Sequence, residues 1–159
     1  MNRLRRYWML LRIFCVRGGY RRAEYLKGKG FFKYIGEHCY LQPWNFGTEP
    51  YLISLGNNVH IASGVTFVNH DIMFMMFNYM DNKHSYCLRQ GEITVGNNVF
   101  VGSNSTILYD VSIGDNVIIG AGSLVNKDIP SGSIAAGVPA KVIGNFYEYR
   151  KKLIKEDKK

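Results

Sequence analysis

The chain has 159 residues, 47% of them hydrophobic, with 17 glycines and a formal net charge of +8. That length suits one domain with terminal decorations, the apolar content excludes a disordered chain, and the glycines suit a backbone that turns constantly. No segment approaches the roughly 20 apolar residues of a membrane-spanning helix, and the positive charge sits at the two ends, with nets of +9 over residues 1–35, −5 over 36–140 and +4 over 141–159.

Residues 1–34 read as a basic, helical N-terminal segment. Within it, residues 2–16 mix large apolar and arginine side chains as a short amphipathic helix does, and Gly18-Gly19 would end it. Its apolar face packs on a neighbouring coil or subunit, or else forms a foot on an anionic membrane surface. The run Tyr7-Trp-Met-Leu-Leu is broken by Arg12 and is followed by no small-residue cleavage site, so nothing indicates secretion. The cysteines Cys15, Cys39 and Cys87 are odd in number and lack metal-type spacing, which points to a reducing compartment.

From Ile35 a six-residue pattern begins in degraded form, and it is unbroken in Val95, Val101, Ile107, Ile113, Ile119 and Val125. Four residues after each stands a small or aliphatic side chain: Val99, Ser105, Val111, Val117, Ser123 and Ile129. One inward anchor every six residues, with a slim residue at the corner behind it, describes flat faces wound around a narrow apolar interior, the signature of a parallel β-helix. Leu41 and Leu55 are fourteen apart, two more than two hexads, so a bulge is expected near Tyr51–Ile53. From Phe67 to Val95 the excess is four, and residues 72–92 should form an extruded loop whose Met and aromatic content argues for a packed groove wall or subunit contact. Ser131–Pro139 should cap the coil, and residues 145–159 read as a basic helix.

The most specific stretches of residues 35–144 are Ile93-Thr-Val-Gly-Asn-Asn-Val-Phe-Val-Gly-Ser, Val111-Ser-Ile-Gly-Asp-Asn-Val-Ile-Ile-Gly-Ala-Gly-Ser-Leu-Val-Asn-Lys-Asp-Ile-Pro and Ala135-Ala-Gly-Val-Pro-Ala-Lys-Val-Ile. On these motifs the chain resembles the hexapeptide-repeat acyltransferases, whose fold is all-β, a left-handed parallel β-helix. These look like the cofactor-binding half of the galactoside, maltose and xenobiotic O-acetyltransferases. Phe46-Gly-Thr-Glu-Pro-Tyr-Leu-Ile and Val65-Thr-Phe-Val-Asn-His-Asp look like the O-acetyltransferases of capsule and lipopolysaccharide synthesis.

The resemblance implies a homotrimer that moves acetyl from acetyl-CoA, a co-substrate, directly to a sugar hydroxyl. It makes His70, just before the extruded loop, the catalytic base, and an imidazole with a reference pKa near 6.5 suits proton removal from an alcohol at neutral pH. Asp71 and Glu49 are the acids available to orient the ring. Carried over by motif, the Ser103 N–H would stabilise the oxyanion, Gly120 and Ala121 would line the pantetheine arm, and Asn126, Lys127 and Lys141 would hold the nucleotide and phosphates. Phe100 and Asn126 stand where the family often has Trp and Thr. Asn45, Glu49 and His84 are candidates for the acceptor. His38 and His60 occupy outward positions and read as surface residues. A shared zinc site needs three spaced histidines, and His70 and His84 have no third partner nearby, so no metal is expected.

The rival readings are an N-acetyltransferase on an amino sugar, a non-catalytic hexapeptide protein that only binds or assembles, and, on the basic ends alone, a nucleic-acid binder without a recognition motif. A cytoplasmic protein is expected, with peripheral contact at the inner membrane face as the membrane reading of residues 2–16.

Overall fold

The structure, a computed structural model, describes residues 12–156 apart from residues 14 and 83. Most of the expected 2–16 helix lies outside the described residues; Arg12, Ile13 and Cys15 are helical, and Ile13 is fully buried. Gly18, at φ 91°, caps a further helix, α1 (Gly19–Gly28), so the glycine pair starts a helix rather than ending one, the helical residues before it stopping at Cys15. α1 packs on the second face of the coil through buried Ala23, Leu26 and Arg22, whose guanidinium donates to the carbonyls of Leu41 (2.8 Å) and Gln42 (2.6 Å) and lies 3.9 Å from the Trp44 ring centroid.

Residues 34–136 wind through three parallel sheets. The first face holds β1 (Tyr34–Ile35), β3 (Ile53–Leu55), β8 (Ile93–Val95) and β11 (Val111–Ile113). The second holds β2 (Tyr40–Leu41), β4 (Val59–Ile61), β9 (Val99–Val101), β12 (Val117–Ile119) and β14 (Ser133–Ala136), and the third holds β5 (Thr66–Val68), β10 (Thr106–Leu108) and β13 (Leu124–Val125). The register is eighteen residues per coil, three hexads, where the repeat is regular: Val111 lies beside Ile93, Val117 beside Val99 and Leu124 beside Thr106.

The period is a consequence of strand alternation. Each face presents two inward residues two apart, as in Val99 and Val101 or Val111 and Ile113, and a short corner then turns the chain to the next face. All six anchors from Val95 to Val125 are at most 2% exposed. Of the residues four positions after them, Val99, Val111 and Val117 lie inside strands rather than at corners, a correction to the corner reading. Ser105 and Ser123 do occupy corners, and both hydroxyls donate inward to the Gly120 carbonyl, at 3.0 and 2.6 Å. That bonding lets a polar side chain stand at a core position without a desolvation penalty.

Along the corner between the first and second faces, Asn58, Asn98 and Asn116 adopt φ of 54–56°. Their amides form a ladder, Asn58 Nδ2 to Asn98 Oδ1 at 2.9 Å and Asn98 Nδ2 to Asn116 Oδ1 at 3.1 Å. Asparagine tolerates this left-handed geometry better than most side chains, and the ladder adds coil-to-coil bonds outside the sheets.

The faults in the period are three. A 3₁₀ turn, Pro50–Leu52, absorbs the two extra residues of the first coil, so Leu55 lies beside Ile35, twenty residues on. The extruded segment makes Val59 and Val99 neighbours at a separation of forty. It leaves by an antiparallel neck, β6 (His70–Asp71) with β7 (Arg89–Gln90), and contains α2 (Met73–Met80), none of whose residues is buried. The last coil is two residues short, Ile134 lying beside Ile118. Ser131–Pro139 therefore does more than cap: Ser133–Ala136 extends the second face, and β15 (Lys141–Asn145) closes it by pairing antiparallel before α3 (Phe146–Glu156). Among the described residues no helix is long and apolar enough to cross a membrane.

Candidate active site

His70 stands where the chain leaves the coil. Asn69, 2% exposed, is the last residue held inside, and its carbonyl accepts the Gly91 N–H at 2.9 Å, joining the two ends of the excursion. Facing His70 from the first coil is the segment Asn45–Glu49. The Phe46 ring packs on Phe67 (centroids 5.8 Å apart), Gly47 turns at φ 75°, and its N–H donates to Asn45 Oδ1 at 3.0 Å. Glu49 precedes the 3₁₀ turn, and its carbonyl accepts the Leu52 N–H at 2.9 Å.

This path brings Glu49 Oε2 to 2.7 Å from His70 Nδ1, with the side chains 16% and 29% exposed. The Thr48 hydroxyl donates to the same carboxylate oxygen at 2.6 Å and lies 3.3 Å from Nδ1. A carboxylate accepting from Nδ1–H fixes the tautomer and leaves Nε2 as the lone-pair nitrogen, which is the arrangement a general base requires. Asp71 is engaged elsewhere: Oδ2 accepts from the Tyr109 hydroxyl at 2.6 Å and Oδ1 from the Met73 N–H at 3.2 Å. The bond to Asp71 pushes the Tyr109 phenol above its ordinary pKa.

Ser103, Gly120 and Ala121 gather at a different edge, the corner between the second and third faces. Asn104 N–H donates to the Ser63 carbonyl (3.0 Å) and Gly122 N–H to the Ser103 carbonyl (2.8 Å), so Ser63, Ser103 and Ala121 stack along the coil axis. The Ser103 N–H takes no acceptor among the described residues. Glycine is required on this column by close approach: a Cβ on Gly102 would lie 2.5 Å from the Ala121 nitrogen, and one on Gly120 would lie 2.8 Å from the Ala136 Cβ. A groove of about 280 Å³ runs beside Ser103, lined by Tyr40, Gln42, His60, Ser63 and Phe100 among others. His60 is half-buried here, stacked on Tyr40 with centroids 5.7 Å apart, and burial lowers its pKa; it is more enclosed than its outward position suggested. Asn45 lines an adjoining groove of about 340 Å³ with Trp44 and Phe67.

Asn126 and Lys127 are exposed and follow β13, placing them on the same edge as His70 rather than with Ser103. Lys141 is exposed in β15, beside Ala136. His84 lies in the extruded segment, lining a cavity of about 630 Å³ with Phe74, Asn78 and Tyr79. The third face, with strands about 10 Å long, thus separates the His70 edge from the Ser103 edge in a single chain. Among the described residues no three His, Cys, Asp or Glu side chains are grouped to hold a metal ion. Thr48 and Tyr109 are contacts the sequence reading missed.

The family model described as "Bacterial transferase hexapeptide (six repeats)" matches residues 92–127, within the regular coils. Over 113 residues the chain is 49% identical to Protein CapG of Staphylococcus aureus, covering 69% of this chain and 62% of that protein. It is 33% identical to the galactoside O-acetyltransferase of Escherichia coli (strain K12), over 72% of this chain and 64% of that one. The chain carries the hexapeptide-repeat domain of bacterial transferases. A solved galactoside acetyltransferase in complex with coenzyme A is 28% identical and superposes with a TM-score of 0.66, covering 94% of this chain and 82% of that one. The chain spans less than two thirds of the length of either curated relative.

Proposed function

We propose that this chain is an acetyl-CoA-dependent O-acetyltransferase acting on a sugar hydroxyl in surface polysaccharide assembly, its catalytic unit the coil of residues 35–144, wound left-handed. The observation that carries the reading is the 2.7 Å contact between Glu49 and His70 Nδ1, which leaves Nε2 as the basic nitrogen. His70 Nε2 takes the proton of the acceptor hydroxyl as its oxygen attacks the thioester carbonyl. The Ser103 N–H, without an acceptor among the described residues, donates to the developing oxyanion, a role worth about 3 kcal/mol per donor in measured cases. As the C–S bond breaks, His70 returns the proton to the departing thiolate, so transfer is direct and no cysteine is acylated.

The Ser63–Ser103–Ala121 column, kept narrow by Gly102 and Gly120, fits an extended pantetheine arm, and exposed Lys127 and Lys141 are suited to phosphates. Because His70 and Ser103 lie on opposite edges of the third face, the reading calls for a homotrimer in which the His70 edge of one protomer meets the Ser103 edge of its partner. The exposed apolar α2 suits the same packing, and the cytoplasm is the place of action.

The test is thiol release from acetyl-CoA against a panel of sugar acceptors, amino sugars included. Turnover with a hydroxyl acceptor, lost in a folded His70→Ala variant, is the expected result. Near-normal turnover in that variant would refute the base, transfer only to amines would refute O-acetylation, and the lack of any thermal shift with acetyl-CoA would leave a non-catalytic binding protein.

A further inference from the structure

The strand that carries His70 is held by a side chain from the following coil. β6 and β7 pair over two residues each, outside the three-faced coil, and a ribbon of that length has little stability of its own. The helix beyond it, α2, buries no residue, and its Asn78 and Phe77 bond to and pack on Tyr86 of the same extruded segment, which leaves a tie to the coil still to be supplied.

Tyr109 does supply it. Leu108 lies beside Val68 in the sheet, which places Tyr109 at the corner where β6 departs. Its hydroxyl donates 2.6 Å to Asp71 Oδ2, a charge-assisted bond, while Asp71 Oδ1 accepts the Met73 N–H that opens α2. The ring is steadied from the other strand of the neck: the Arg89 guanidinium carbon lies 5.4 Å from its centroid, and Nη2 is 4.0 Å from Asp110 Oδ2. Both strands of the neck are therefore tied to one residue of the rigid coil.

We propose that Tyr109 is a positioning residue for the His70 base, fixing through Asp71 the angle at which β6 presents the imidazole to Glu49 and to the acceptor hydroxyl. This rests on acetyl transfer by His70 as proposed above. Tyr109 touches no reacting atom. Since His70 and Asp71 are adjacent in a strand, their side chains point to opposite sides, so a bond to Asp71 rotates or steadies the ring without occupying it.

The test is Tyr109→Phe in the full chain, which removes one oxygen and leaves the ring against Arg89. With acetyl-CoA and acceptor saturating, kcat should fall about tenfold, equivalent to about 1.4 kcal/mol, while KM for acetyl-CoA stays within about twofold. In the imidazole NMR spectrum the His70 resonances should shift while those of His38 and His60 hold. Asp71→Ala should give a similar loss, the double variant no more than either single one, and Asp71→Asn, which keeps an acceptor for the hydroxyl, should recover most of kcat. Wild-type kcat in Tyr109→Phe, or losses that multiply in the double variant, would overturn the proposal. So would a fall in melting temperature alone, with kcat and the His70 resonances unchanged. Full turnover in His70→Ala would instead overturn the assignment of His70 as the base, and the His70 resonances of Tyr109→Phe would still decide whether Tyr109 sets the ring.

Discussion

Replacing Glu49 with alanine removes the acceptor that holds the His70 ring, and the size of the effect can be worked from the geometry. A hydrogen bond to a charged group contributes about 1.5–3 kcal/mol net. Here the two side chains are 16% and 29% exposed, so water replaces part of what is lost and the lower half of that range applies. At about 1.4 kcal/mol per factor of ten, kcat for Glu49→Ala should fall about 12- to 40-fold. Glu49→Gln keeps an oxygen at the same reach, but a neutral acceptor is about half as strong, so its loss should be about three- to sixfold. The assay is the initial rate of thiol release with acetyl-CoA and acceptor both saturating, on variants whose melting curves match the parent. Glu49→Ala within twofold of the parent, alongside an inactive His70→Ala, would refute the claim that Glu49 orients the base. A Gln variant weaker than the Ala variant would refute the graded hydrogen-bond argument.

Ile107 is fully buried between Phe67 and Val125 on the third face, so Ile107→Ala should cost about 2–5 kcal/mol, measured by urea unfolding. Asn98→Ala loses both rungs of the amide ladder and puts a Cβ residue without a compensating polar side chain at φ 55°, a strain of about 1–2 kcal/mol; Asn98→Gly, which relieves that strain, should melt at a higher temperature than Asn98→Ala. The Lys27 ammonium donates to the Glu37 carboxylate, which lowers the Glu37 pKa and raises that of Lys27. A depressed carboxylate stabilises above its unfolded pKa and loses that contribution as pH falls through the folded value. The small difference in melting temperature between the parent and Glu37→Gln should therefore be present at neutral pH, vanish in acid and shrink in high salt, and a difference that grew in acid would contradict the sign.

The regular coils were legible because their cause is local. A strand hides alternate residues, a three-residue strand hides two, and the short corner after it completes each hexad, so the anchors from Val95 to Val125 announce the interior directly. Two of the three faults in the period were equally legible, since a count of residues is all they need: the surplus between Leu41 and Leu55 is the 3₁₀ turn at Pro50–Leu52, and the surplus before Val95 is the extruded segment. Tyr109 was within reach by the same count. Once Leu108 is placed beside Val68, Tyr109 falls next to the departure of β6, but nothing in a lone tyrosine marks it as a partner for Asp71. The closing hairpin of β14 and β15 was read too simply as a cap because the last coil is two residues short and the repeat no longer reports the strand.

What the sequence determined by itself was the coil, its period and the place where the period fails, because these depend on which residues must be hidden from water. Which acid meets His70 was decided only by the tertiary structure. Asp71 is next in the chain, yet adjacent residues of a strand point to opposite sides, and its carboxylate goes to Tyr109. Glu49, twenty-one residues earlier, reaches the imidazole because one coil stacks on the next and the turn at Gly47 aims the segment at the neck. The same stacking sets His70 and Ser103 on opposite edges of the third face, a separation that no reading of spacing along the chain contained.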